Sequence, residues 1–226
     1  YLFHLFSHIK VYNMQKLWFS ILVAIAIFLF FSSAFSQVKH YSNRFIGSGL
    51  ETIHHFDKLH HLRTGLFSFS STSYDRHGRN FDGCCDTYLY KEGDEYVIAD
   101  VTGPGIIQRI WTTNYMPYDT VNRIRIYFDG EKVPRLDESI ADFFGGELAH
   151  LPYPICAYPE KTSGGFYCYV SFPFEKSVKI TMTRDDYYQV NYLRINPWVE
   201  VKSWQKKTDY SSEIELWNSS RKDPKN

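Results

Sequence analysis

The sequence predicts an all-β fold: an antiparallel jelly-roll β-sandwich preceded by a short helix. Three observations carry this expectation. From Leu66 onward apolar residues recur at every second position, in about eight short segments, which is the signature of half-buried antiparallel strands. Glu92-Gly93-Asp94, Gly103-Pro104-Gly105, Asp129-Gly130 and Ser163-Gly164-Gly165 punctuate those segments as turns. One early stretch has the spacing of a helix, and no internal repeat is present.

Taken in order, residues 1–36 contain only Lys10 and Lys16 as charges, and no acid. Between Leu17 and Phe31 only Ser20 is not apolar, and Ala34-Phe35-Ser36 follows. A basic residue, a short apolar core and small residues form a secretory signal, with cleavage expected before Gln37. The core is short for a membrane span of about 20 residues. The signal begins naturally at Met14, so residues 1–13 read as upstream sequence. Residues 37–65 form a leader and the short helix. Ser48-Gly49-Leu50-Glu51 fits a capping box, Leu50, Ile53, Phe56, Leu59 and Leu62 make one apolar stripe, and Gly65 ends it.

Residues 66–195 form the jelly roll. Its predicted strands are Leu66–Ser71, Thr87–Tyr90, Glu95–Val101, Gly105–Thr113, Asn122–Phe128, Phe166–Phe172, Ser177–Thr183 and Tyr187–Ile195. Ile124, Ile126 and Phe128 alternate with Arg123, Arg125 and Tyr127, and Val178, Ile180 and Met182 alternate with Lys179, Thr181 and Thr183. Pro197 stops the last strand. Residues 196–226 read as a connector with a short helix around Tyr210–Trp217, and a chain that ends on a connector is expected to continue.

Composition narrows the function classes. The 226 residues carry 25 Lys+Arg against 25 Asp+Glu, which excludes the basic excess of a general nucleic-acid binder. Hydrophobics at 44% exclude a disordered chain. Cys84 and Cys85 are adjacent and not expected to pair with each other. Cys156 and Cys168 either bridge a short loop or stay as buried thiols. No CxxC spacing supports a zinc ribbon.

The densest polar stretch is Ser70–Gly83, which holds Asp75, Arg76, His77, Arg79, Asn80 and Asp82 with Gly78 and Gly83. Such a loop suits a polyhydroxyl ligand, because glycine admits close backbone approach while Asp and Asn accept hydroxyls. The alternative is a structural loop whose charges pair with neighbours. Trp111 offers an aromatic face to a sugar ring, or a core side chain. Asp142 lies in a Gly-flanked loop, where Phe143 and Phe144 plug the sandwich and hold it outward.

Six motifs follow one another: Ser73-Tyr74-Asp75-Arg76, Asn80-Phe81-Asp82-Gly83, Gly103-Pro104-Gly105 leading to Ile110-Trp111, Phe128-Asp129-Gly130, Asp142-Phe143-Phe144-Gly145 and Gly164-Gly165-Phe166-Tyr167. In this order they resemble glycoside hydrolase family 172 over about residues 50–217. The resemblance implies exported enzymes of two tandem jelly rolls, assembled as trimers or larger. It also implies exo-acting, anomer-retaining activity on α-D-fructofuranosides and α-D-arabinofuranosides. The family's catalytic glutamates are expected in a second half, so none is assigned among Glu138, Glu147 and Glu160. His77 and Arg79 flank Gly78 where family members often have Gly next to the Asn, so the loop differs in detail. Asp75, Arg76, Asn80, Asp82, Trp111 and Asp142 are the substrate-binding candidates. The rivals are a non-catalytic carbohydrate-binding module and a structural jelly roll.

No cofactor is expected. His54, His55, His60 and His61 do not converge as i, i+4 ligands and read as helix surface. Asn80, Asp82 and Asp86 offer oxygens for calcium, without EF-hand spacing.

Overall fold

The computed structural model describes residues 49–55, 65–83, 85–113, 118–162, 164–207 and 209–219. The signal segment, the Ser48 capping position and the apolar stripe from Phe56 to Leu62 lie outside the described residues. What is described of the early helix is a 3-10 turn, Leu50–His54, whose N-cap Gly49 makes no side-chain cap. It is tied to the sandwich by the Leu50 amide, which donates to Ser171 Oγ at 2.6 Å.

In chain order the strands are β1 (Leu66–Thr72), β2 (Tyr90–Glu92), β3 (Glu95–Thr102), β4 (Gly105–Thr112), β5 (Arg123–Phe128), β6 (Leu136–Ser139), β7 (Glu147–Leu148), β8 (Leu151–Pro152), β9 (Cys156–Ala157), β10 (Phe166–Cys168), β11 (Phe172–Phe174), β12 (Ser177–Met182) and β13 (Tyr188–Ile195). The described residues also form two α-helices, α1 (Ile140–Gly145) between β6 and β7 and α2 (Ser211–Ser219) after β13. One sheet runs β1-β13-β4-β10-β9, with β11 also on β4. The other runs β2-β3-β12-β5-β6, and β7-β8 is a small separate hairpin. All pairings among these strands are antiparallel. The predicted β-sandwich is therefore the observed fold.

Alternation places the core where expected. In β5, Ile124, Ile126 and Phe128 are fully buried while Arg123, Arg125 and Tyr127 are only partly so. Thr181 departs from the pattern and is buried opposite a β-bulge in β3, whose extra residue is Ile98, and its hydroxyl donates to Glu95. Two predicted strands also differ from expectation by more than a single end residue. The predicted strand at Thr87–Tyr90 begins at Tyr90, and Phe166–Phe172 divides into β10 and β11. The division faces Gln108, the extra residue of a bulge in β4 between the partners of Asn191 and Tyr192, which breaks the ladder that one long strand would need.

The predicted loop around Asp142 is helical. Ser139 caps α1 by accepting from the Asp142 amide at 3.0 Å, and its hydroxyl donates to Asp142 Oδ2 at 2.7 Å. This frees Phe143 and Phe144 to plug the core. Phe144 meets Phe166 edge-on at 5.6 Å, and Phe143 stacks on Phe172 at 6.4 Å.

The segment after β13 belongs to the same core. Trp204 is 4% exposed, stacks on Phe128 at 6.0 Å and meets Phe172 edge-on at 5.4 Å. Its amide donates to the Pro173 carbonyl, and its carbonyl accepts from Arg135. Trp204→Ala should therefore cost about 3–5 kcal/mol in a denaturant titration. Trp198→Ala, at a side chain 67% exposed, should leave the midpoint unchanged.

Candidate functional site

Strand register gathers the candidates at one end of the sandwich. Thr72 pairs with Gln189, Gln189 with Trp111 and Trp111 with Tyr167, so the base of the polar loop and Trp111 share one cross-strand row. Two strand spacings separate them, about 10 Å. The connections after β1, β4, β6, β9 and β12 all leave from this end.

The polar loop is organised by Asp75. Its side chain is 3% exposed and accepts from the amides of His77 at 2.9 Å, Arg79 at 2.7 Å and Phe81 at 3.2 Å, with Arg79 Nε at 3.4 Å. Burial pushes this carboxyl up, but the hydrogen bonds more than offset it and bring it down to about 2. Asp75 also donates its own amide to Asp82 Oδ1 at 2.7 Å. Arg76 turns inward, where its guanidinium donates to the Thr87 and Thr72 carbonyls and to the Tyr188 hydroxyl. Asp75 and Arg76 thus brace the loop, each on separate partners. Asn80, Phe81 and Asp82 face outward, Asn80 in the left-handed region at φ 67.

Trp111 is half-buried on the outward face of the first sheet. Gly165 lies against it: a Cβ there would approach Trp111 Nε1 to 2.3 Å. Thr162 holds this turn by donating to the Gly165 carbonyl at 2.6 Å. Beside Trp111 a polar strip was not anticipated. Arg109 donates to Gln189 Oε1 and to Asn191 Oδ1, and Asn191 donates to Ser70 Oγ at 3.3 Å. Its sequence signal is the polar residue at alternate positions of otherwise apolar strands, as in Gln189-Val190-Asn191.

Asp142 joins a different group. Burial pushes the Tyr158 hydroxyl up, and the nearby Tyr118, Glu147, Glu160 and Asp142 raise it further. Glu138 lies elsewhere, 3.3 Å from His150 Nε2 and 3.8 Å from Lys206 Nζ. The structure therefore brings Asp75, Arg76, Asn80 and Asp82 into one loop, sets Trp111 beside it, and gives Asp142 separate neighbours.

Among the described residues no group of three His, Cys, Asp or Glu is arranged to hold a metal. Asp82 and Asp86 each already accept a hydrogen bond, from the Asp75 amide and the Tyr88 hydroxyl. His54 and His55 are exposed, while His60 and His61 lie outside the described residues. No helix among the described residues is long and apolar enough to cross a membrane. An apolar cavity of about 660 Å³ opens at the opposite end of the sandwich, between Leu50, Ile106, Pro173, Trp204 and Tyr210. A polar groove of about 510 Å³ crosses the outer face of the second sheet, where Asp100 accepts from Tyr90 and Glu92 from Lys179. Neither contains a predicted site residue.

Two outcomes follow from the loop and the turn. A carboxyl held near 2 when folded, against about 3.9 unfolded, stabilises the fold above pH ~4 and loses that contribution as pH falls toward 2. Melting temperature measured from pH 5 to 2 should fall less steeply in Asp75→Asn than in the parent, from a lower starting value at pH 5. Gly165→Ala should shift Trp111 fluorescence and cost about 1–3 kcal/mol through overpacking.

A search among curated proteins returns no match. A family model, described as the GH172 first β-sandwich domain, matches residues 64–212. The matched span opens just before β1, takes in the polar loop, Trp111 and α1, and closes at the start of α2, after the Trp204 segment. Fold, motif order and matched span agree, and the chain belongs to glycoside hydrolase family 172.

Proposed function

We propose that this chain supplies the first β-sandwich of an exported glycoside hydrolase that removes α-D-arabinofuranosyl or α-D-fructofuranosyl groups from glycan ends with retention of configuration. The observation that carries the reading is the family match across residues 64–212, which coincides with the folded sandwich. Retention requires two carboxyl groups about 5–5.5 Å apart. In this reading a second sandwich supplies that pair, and the first contributes substrate contacts from its loop end. Asn80, Asp82 and Trp111 are the groups that face a sugar, while Asp75 and Arg76 hold the loop in shape. Trimers or larger assemblies of the two-sandwich protein fit the same reading. Export rests on Lys16, the apolar core and Ala34-Phe35-Ser36, with the mature chain beginning at Gln37.

The test uses aryl α-D-arabinofuranoside and aryl α-D-fructofuranoside with purified protein. A protein carrying both sandwiches should hydrolyse at least one of them with retention, followed by NMR of the released anomer, while this chain alone should not. Trp111→Ala should lower kcat/KM per folded molecule by roughly tenfold, the value of one lost aromatic contact, alongside a lower thermal transition from the lost packing on Gly165. Turnover by this chain alone, or none by the two-sandwich protein, would overturn the reading.

A further inference from the structure

Cys156 and Cys168 are free thiols, both fully buried, and directly opposite each other in the β9–β10 pairing. The neighbouring Tyr169 amide donates to the Ile155 carbonyl at 3.0 Å. That bond makes the Tyr169–Ile155 row a hydrogen-bonded pair, so the alternating antiparallel pattern leaves Cys156–Cys168 as a non-hydrogen-bonded pair. Facing Cα atoms in such a pair lie about 4.5 Å apart, inside the 4.4–6.8 Å range that a disulfide spans. Both side chains point to the same inner face, because cross-strand partners always share a face. Burial, reinforced by the neighbouring Cys168 thiol, holds the Cys156 thiol well above its ordinary range.

We infer that Cys156 and Cys168 are a disulfide site, closed by thiol–disulfide exchange with a small-molecule or protein disulfide when the chain folds in an oxidising compartment. In the exchange one cysteine thiolate attacks the donor disulfide, forms a mixed disulfide and expels one donor thiolate. The second cysteine thiolate then attacks the protein sulfur of that mixed disulfide and expels the other. One disulfide is reduced to two thiols, and two protein thiols are oxidised to one disulfide. The protons lost by the cysteines pass to the released donor thiolates.

Topology gives the exchange its opening. β9 is two residues long and lies at the edge of its sheet, so it is the strand whose fraying exposes both sulfurs. Closure then pins the hairpin that carries Thr162 and Gly165 against Trp111. Apolar packing alone is the competing role, since a buried cysteine is also a small hydrophobe.

Refolding the full chain in glutathione buffers of graded oxidised-to-reduced ratio, then alkylating in urea and mapping peptides, separates the two. The expected product is a Cys156–Cys168 cross-linked peptide with neither cysteine alkylated. In that oxidised protein the Tyr169 amide should exchange with solvent at least about tenfold more slowly than in the reduced protein. Cys168→Ser should abolish the cross-link and leave Cys156 alkylated. Both cysteines alkylated at every ratio, in protein with a cooperative thermal transition, would overturn the site. So would a cross-link from either one to Cys85, which is itself disulfide-bonded in the structure, Cys84 lying outside the described residues.

Discussion

The sandwich depends on β4. It is the strand on which β13, β10 and β11 all pair, and both of its ends work through glycine. At the start, Gly103 and Gly105 lie under the Phe174 ring, where added Cβ atoms would come within 2.5 and 2.4 Å of ring carbons. At the finish, Gly165 lies against the Trp111 indole. An aromatic side chain pressed against backbone leaves no room for a Cβ, so the spacing of glycine and aromatic residues sets how closely the strands beside β4 approach. The bulge at Gln108 lies between these contacts and lets β10 and β11 use different stretches of one partner strand.

The second constraint is electrostatic. A buried carboxylate is costly unless hydrogen bonds replace its water, and Asp75 meets that condition with amides from its own loop. Arg76 satisfies its donors on backbone carbonyls and the Tyr188 hydroxyl rather than on a carboxylate. The two charges therefore stabilise one loop by separate routes. Their adjacency in sequence suggested a common role that the geometry divides between them.

The fold was largely legible in the sequence because period-two alternation reports burial directly. Ile124, Ile126 and Phe128 are a clear example. Short elements escaped, since β6 and α1 together span Leu136–Gly145 and offer too few positions for either period to register. The Ser139-to-Asp142 spacing was the one local signal for α1. Grouping within the polar loop was legible too, but not which members point inward, because that follows from amides with no sequence signature. The Arg109, Gln189 and Asn191 strip becomes visible only once register sets three distant residues side by side. Trp204 was obscured by polar neighbours, Ser203 and Gln205, that suggested a solvent-exposed connector. The adjacency of Cys84 and Cys85 gave no signal that Cys85 is disulfide-bonded.

The donors that hold Asp75 come from residues 77, 79 and 81, within six positions of the carboxylate itself. Three of its four bonds are main-chain bonds, indifferent to the side chains that ride on them. The loop's shape and the chemistry it displays are accordingly separate variables in evolution. Substitutions at the exposed His77 or Phe81 can change the chemistry of this surface without disturbing the turn that presents it, whereas Asn80 is held to the few residues that accept a positive φ.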